Sequence, residues 1–480
     1  MFPESVEEST ESRQPLVQPA SSSAVGTRVE VGQPGFSKRT NTGNNVNRTP
    51  TRTSFNLQRA KTSLLTPTKS IGPAPSFLQS IKSIVMASWL NLLLVCIPVS
   101  WALNFAMKDQ HTLVFVFSFL SIIPLAKLLA FATDELSIRV GQTLAGLLNA
   151  TLGNAVELIV AIIALTQCKL HIVQSSLVGS ILSNLLLVLG MCFFAGGLRF
   201  SEQGFSAVAT QLNSSLLTLS VIAVLLPAAF HMNVTGSTDS DEGQDILKVS
   251  HGVALILLFI YASYLFFQLY SHATLYTDDG VPPSIPYPKR KAEGAESQAG
   301  GDLEQSKPVE DEETPQMSLY TTIALLVIVT VLVAVTAEWL VDSIDGLTAT
   351  GVIQEEFVGI ILLPIVGNAA EHVTAVTVSV KDKLTLSLGV AVGSSIQIAL
   401  FVIPFIITLG WILGKPLTLL FDPYESITLF LAVLTVNYCV QDGKSNWLEG
   451  MILMCLYVIL CVTFWYYPGS DPSGLLNTCT

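Results

Sequence analysis

Two glutamates stand where a carboxylate is expensive. Leu152-Gly153-Asn154-Ala155-Val156-Glu157-Leu158 recurs as Val366-Gly367-Asn368-Ala369-Ala370-Glu371-His372, and both copies lie inside long apolar runs. A charged side chain at the centre of such a run costs roughly 2.5–3.5 kcal/mol on insertion scales. Two of them in one local pattern point to a paired site for a cation. Asn154 and Glu157, like Asn368 and Glu371, are three residues apart and share one helix face. Gly153 and Gly367 weaken the helix at that point, and asparagine competes with the helical backbone for hydrogen bonds. A loosened helix frees carbonyl oxygens, which a membrane tolerates only where they line a cavity or hold an ion. The donor set is therefore oxygen, which suits Ca²⁺ with its 6–8 oxygen ligands. No Cys or Met accompanies it, which disfavours a soft metal.

Two carboxylates held together cannot both stay ionised without a cation. An empty site should take up protons, and a divalent cation should displace them. One site that binds either, open alternately to each side, is an antiporter. The functional expectation is exchange of Ca²⁺ (or Mn²⁺) for H⁺. Glu135, in Ala132-Thr133-Asp134-Glu135-Leu136, and Glu338, in Thr336-Ala337-Glu338-Trp339-Leu340, are candidates for proton coupling or gating, with a helix-end structural role as the alternative. His372 has no counterpart in the first copy, where Leu158 stands. It is either a structural donor or a proton relay.

The copies are related by one offset, 367 − 153 = 214. The same offset carries Gly179-Ser180 onto Gly393-Ser394. Each half reads GNA-x-E and then, 26 residues after its first glycine, a second polar element: Gly179 to Asn184 in one half, Gly393 to Gln397 in the other. Ser180, Asn184, Ser394 and Gln397 are candidates to orient the acids or complete coordination, or to act as interhelical glue.

The elements that must position these residues are membrane spans. Half the chain is hydrophobic, only 12% is charged, and mean hydropathy is +0.57; soluble domains carry about 25% charged residues. No basic stripe marks a nucleic-acid partner. Runs long enough to cross a bilayer, about 20 residues, fall near 84–106, 111–132, 140–166, 172–196, 205–230, 249–271, 318–341, 355–380, 384–412, 423–440 and 446–467. The fold expected is an all-α polytopic membrane protein with eleven transmembrane helices. The two motifs lie five spans apart, an odd number, so they enter the membrane from opposite sides: an inverted repeat with its site near the midplane. The domains are a disordered cytoplasmic tail (1–76), an extra first helix (77–110), a first repeat (111–271), an acidic linker (272–317), a second repeat (318–467) and a C-terminal tail (468–480).

The tail carries nine Lys or Arg against five Asp or Glu. With it in the cytoplasm, Arg139, Arg199, Lys289, Arg290, Lys291, Lys381, Lys383 and Lys444 fall in cytoplasmic connections, and Lys108, Lys169, Lys248 and Lys415 on the other side, as the positive-inside rule prefers. The C-terminus is then lumenal. The linker acids, Glu293 to Glu313, form either a solvated connection or a surface that gathers divalent cations. Asp239-Ser240-Asp241-Glu242 admits the same two readings, and Asn233-Val234-Thr235 is a glycosylation sequon. The seven cysteines show no paired spacing and read as small membrane-core residues.

At these residues the chain resembles the cation/proton exchanger family, especially its vacuolar Ca²⁺/H⁺ exchangers of fungi and plants. The resemblance spans roughly residues 80–467 and rests on Gly153–Ile159 with Gly179–Asn184, and Gly367–His372 with Gly393–Ile398. It implies one extra N-terminal helix plus two inverted five-helix repeats, an acidic linker, a vacuolar membrane location, and Ca²⁺ loading driven by the proton gradient. It also implies that Glu157 and Glu371 bind the cation and that Glu135 and Glu338 serve proton exchange. Val156 stands where the family often has Thr, which removes one hydroxyl ligand. Ca²⁺ and H⁺ are then substrates, the lipid bilayer the surroundings, and no cofactor is expected; a homo-oligomer is left open. The rivals are a Na⁺-driven Ca²⁺ exchanger, an intramembrane hydrolase and a channel. Glu371-His372 is not an HExxH motif, and an internal repeat is not the multisubunit ring of a channel filter.

Overall fold

The structure, a computed structural model, describes residues 72–107, 109–234, 242–276, 281–287, 314–349, 351–471, 474, 476 and 479. Most of the N-terminal tail, the linker acids Glu293 to Glu313 and Asp239 to Asp241 lie outside them. The sequon at Asn233 extends beyond them at Thr235.

Helix α1 (Phe77–Met86) is opened by a capping box in which Ser76 and Gln79 satisfy each other's backbone amides. The helices that follow are α2 (Trp89–Ala106), α3 (His111–Ser137), α4 (Gln142–Leu152), α5 (Ala155–Thr166), α6 (Leu170–Gly197), α7 (Ala207–Val234) and α8 (Gly243–Ser271). The second half holds α9 (Leu319–Thr348), α10 (Glu355–Gly367), α11 (Ala369–Val380), α12 (Leu384–Leu413), α13 (Pro423–Cys439) and α14 (Trp447–Tyr466). Among the described residues, eight helices are long and apolar enough to cross a membrane, or ten if each bent pair is one span. The bent pairs are α4–α5, turning by 46°, and α10–α11, turning by 57°. The remaining stretch expected to span is α13, with 17 residues. The first long helix starts at Trp89 rather than near 84, because Ala87 and Ser88 separate α1 from it.

Both breaks fall at the repeated motif. Asn154 (φ −101°, ψ 29°) and Asn368 (φ −88°, ψ 0°) leave helical geometry, as the glycine-asparagine pair foretells. Helices α6 and α12 form the centre of the molecule. Each carries a widened turn at the repeat-equivalent place, Ser183–Val188 and Ile398–Val402, a feature that frequents functional sites. Helices α3 and α9 pack against each other, and Trp339 of α9 holds Trp101 and Phe105 of α2 edge-on at 5.3 and 5.6 Å.

Two features depart from the sequence reading. A small antiparallel sheet, ordered β2-β1-β3, joins three connections: β1 (Phe200–Gly204), β2 (Ile285–Pro286) and β3 (Lys444–Ser445). It lies outside the spans, where backbone amides left without helical partners must pair with something. Cys168 and Cys479 are joined by a disulfide, with Cα atoms 5.6 Å apart. Neither is a membrane-core residue: Cys168 sits in the connection between α5 and α6, and Cys479 lies beyond α14.

Candidate cation site

Each glutamate lies in the first turn of the helix after its break, Glu157 in α5 and Glu371 in α11. The positive end of the helix dipole favours a carboxylate there. The preceding asparagines occupy the N-cap positions, yet neither side chain caps its helix; both are directed elsewhere. Asn154 reaches across to the other repeat. Its Nδ2 donates to Gln397 Oε1 (2.5 Å), and its Oδ1 accepts from Ser394 Oγ (2.7 Å). Asn184 Nδ2 donates to the same Ser394 Oγ (3.1 Å). The first motif of one half thus engages the second motif of the other.

The two glutamates face one another across this contact. A Cβ added to Gly367 would lie 2.9 Å from Glu157 Oε1, so the glycine lets the opposing carboxylate come close. Around them several buried atoms have no hydrogen-bond partner among the described residues: Asn368 Oδ1 and Nδ2, Asn184 Oδ1 and Glu371 Oε2. A buried unsatisfied acceptor needs an explanation, and an ion is one. Two amide oxygens without donors, beside two carboxylates, form an incomplete oxygen shell of the kind a hard cation completes.

Access is one-sided. A cavity of about 390 Å³ reaches the site and is lined by Glu371, Gly153, Ser394 and Gln397, with Asn149 and Thr374 farther along and Lys127 and Asp134 also on its wall. Glu157 and Ser180 instead border a void of only about 20 Å³, walled by Ile122, Leu177 and Leu363. That side is closed where α6 crosses α10. A Cβ on Gly179 would overlap the backbone of Ile360, and one on Gly359 would overlap Ser175. Gly393, the repeat equivalent of Gly179, has nothing within 4 Å.

The remaining candidates lie apart from the pair. Glu135 is buried, and its carboxylate accepts from the amides of Gln316 and Met317 at 3.1–3.2 Å. It fixes the entry to α9, while its neighbour Asp134 faces the cavity. Glu338 is exposed on α9. His372 Nε2 meets Ser183 Oγ at 3.4 Å, between α11 and α6, and lines neither space. Sequence reasoning did not single out Lys127, whose Nζ donates to Thr374 Oγ1 (3.2 Å), nor Asp134. Their spacing of seven, two helical turns on α3, is the signal that places both on one face.

The model of the sodium/calcium exchanger protein family matches residues 110–270 and 321–466. The chain is 53% identical to a vacuolar calcium ion transporter of Cryptococcus neoformans, over 88% of this chain and 80% of that one. It is 42% identical to a Ca²⁺/H⁺ antiporter of Synechocystis, over 78% and 97%. Among solved structures, native YfkE superposes with a TM-score of 0.62 at 30% identity, covering 79% of this chain and all of that one. With both halves matched, the chain belongs to the sodium/calcium exchanger protein family.

Proposed function

We propose that this protein is a secondary transporter, not an enzyme, that exchanges Ca²⁺ for H⁺ across the membrane of an acidic organelle, the vacuole. The observation that carries the reading is the incomplete oxygen shell between the two repeats: Glu157 and Glu371 with the orphaned oxygens of Asn368 and Asn184. The names of the relatives, vacuolar calcium ion transporter and Ca²⁺/H⁺ antiporter, support the substrates and the compartment. They also favour protons over Na⁺ as the counter-ion.

In this reading α13 is an eleventh span, the N-terminus is cytoplasmic, and the C-terminus is lumenal. The cavity beside Glu371 then opens to the cytoplasm. Ca²⁺ enters past Asp134 and displaces protons from the glutamate pair. Two ionised carboxylates are tolerated only while the cation is between them, so release to the other side requires protons to return. Strict exchange follows, because neither the doubly ionised nor the doubly loaded pair is stable. Asn154, Ser394 and Gln397 hold the two halves in register, and Asn368 supplies a ligand oxygen.

Vesicles with an acidic interior and external ⁴⁵Ca²⁺ test this in the absence of Na⁺. Uptake should stop when a proton ionophore collapses the gradient; uptake that persists overturns the antiport reading.

A further inference from the structure

A second pair of buried glutamates lies at the far end of the molecule from the cavity. Glu356 opens α10 and Glu425 opens α13, and they are 4% and 1% exposed. Their side chains are neighbours, and Oε2 of each is buried without a donor among the described residues. Every element packed around them brings charge. His171 of α6 sits with Nδ1 3.4 Å from Glu356 Oε1. Glu355 and Asp471 also act on His171, and Asp422 acts on Glu425. Asp422 is already engaged: it accepts from the amides of Tyr424, Glu425 and Ser470 and from the hydroxyls of Tyr467 and Ser470. Lys169 is paired with Asp345. One imidazole thus faces three carboxyls, those of Glu356, Glu355 and Asp471.

Two buried carboxyls side by side cannot both stay ionised, so one of them keeps a proton. A metal fits poorly: two free oxygens beside an imidazole fall far short of the 6–8 oxygens of Ca²⁺. The place is also specific. His171, Ser175, Gly179 and Ser183 form one stripe of α6 at spacings of four, and this stripe runs from the pair, through the closed crossing, to the central site. Along α10 the distance from Glu356 to Gly367 is about 16 Å at 1.5 Å per residue.

We propose that Glu356 and Glu425 share one proton and form the proton-exchange site of the face opposite the cavity. The proposal rests on the antiport reading for its role, but the shared proton does not. Glutamine at either position supplies a permanent amide donor, so the contact survives while the titration is lost. Full-length protein in vesicles, with internal pH varied, should show the half-maximal internal proton concentration for Ca²⁺ uptake displaced by about tenfold or more in Glu356→Gln and Glu425→Gln, with the KM for external Ca²⁺ unchanged. Parent-like internal pH dependence in both variants would overturn the role. Infrared spectra of the purified chain in saturating Ca²⁺, where the central pair is ionised, read the proton directly. The parent should show a protonated-carboxyl band that both variants lose, even if transport fails; a band retained in both overturns the shared proton. A parent with no proton-driven uptake would sink the antiport reading alone, and the infrared result would still stand.

Discussion

The closed crossing gives a prediction whose size can be worked from the structure. In Gly179→Ala the new Cβ would lie 2.6 Å from Ile360 Cα and 2.7 Å from its carbonyl carbon. Ordinary contact starts near 3.4 Å, and both obstacles are backbone, so α6 and α10 must part by roughly 1 Å, an overpacking cost of about 1–3 kcal/mol. Gly393→Ala meets nothing here. The repeat offset maps Ile360 onto position 360 − 214 = 146, which is Gly146 on the cavity wall. When the halves exchange roles, Gly393 should press on that segment as Gly179 presses on Ile360 now. Gly179→Ala therefore penalises the conformation with the open cavity, and Gly393→Ala penalises the opposite one. Each change should shift the balance about 5- to 150-fold, in opposite directions. The assay is the labelling rate of Thr374→Cys, on the cavity wall, by an impermeant maleimide, with the free cysteines Cys96, Cys192, Cys439, Cys455 and Cys461 replaced by alanine. Gly179→Ala should slow labelling and Gly393→Ala should not. Slower labelling in both, or only in Gly393→Ala, refutes the reasoning.

Glu157→Gln and Glu371→Gln should each abolish ⁴⁵Ca²⁺ uptake while leaving the thermal midpoint of the purified protein unchanged or raised, since each removes a costly buried charge; robust uptake in either removes that residue from the site. Asp134→Asn should raise the KM for Ca²⁺ at low ionic strength, and the difference should shrink in high salt. Glu135→Gln should act on stability instead, costing about 1.5–3 kcal/mol through its lost charged hydrogen bonds to Gln316 and Met317, read as a lower melting midpoint with KM unchanged. Cys168→Ser and Cys479→Ser should each cost about 2–4 kcal/mol, and the double variant no more than either single one; a non-reducing peptide map should show the linked pair in the parent.

The core of the fold was legible because its signals are periodic or repeated. Apolar length announces a helix whatever its neighbours are, and Gly-Asn inside such a run announces a break. The offset of 214 pairs the motifs before any coordinate is known, and Ser394 and Gln397 do stand against Asn154. The choice between Asp134 and Glu135 was not legible. Adjacent helical residues point about 100° apart, and on this nearly all-apolar helix only the spacing from Lys127 bears on the rotation, with nothing in the sequence to say that Lys127 faces a cavity. The disulfide and the small sheet were hidden for another reason. They pair segments of the connections, in the case of Cys168 and Cys479 across 311 residues, and such pairings leave no local pattern.

The same offset explains why the two halves, built alike, are not equivalent. It maps Ser394 onto Ser180 and Gln397 onto Ser183. In the present arrangement Gln397 is long enough to reach Asn154 and satisfy its amide. Ser183 is short, and it meets His372, which replaces Leu158 of the first half. Among the described residues Asn368 is thus left with both amide atoms buried and unpartnered, a cost of about 1–3 kcal/mol per group where no ion or water compensates. A bound cation can satisfy Asn368 Oδ1 and both carboxylates at once, whereas a protonated glutamate has a single O–H to donate. In the proposed exchange this asymmetry would make the second half the one that gains most from the cation, and Glu371 is the glutamate that the cavity reaches.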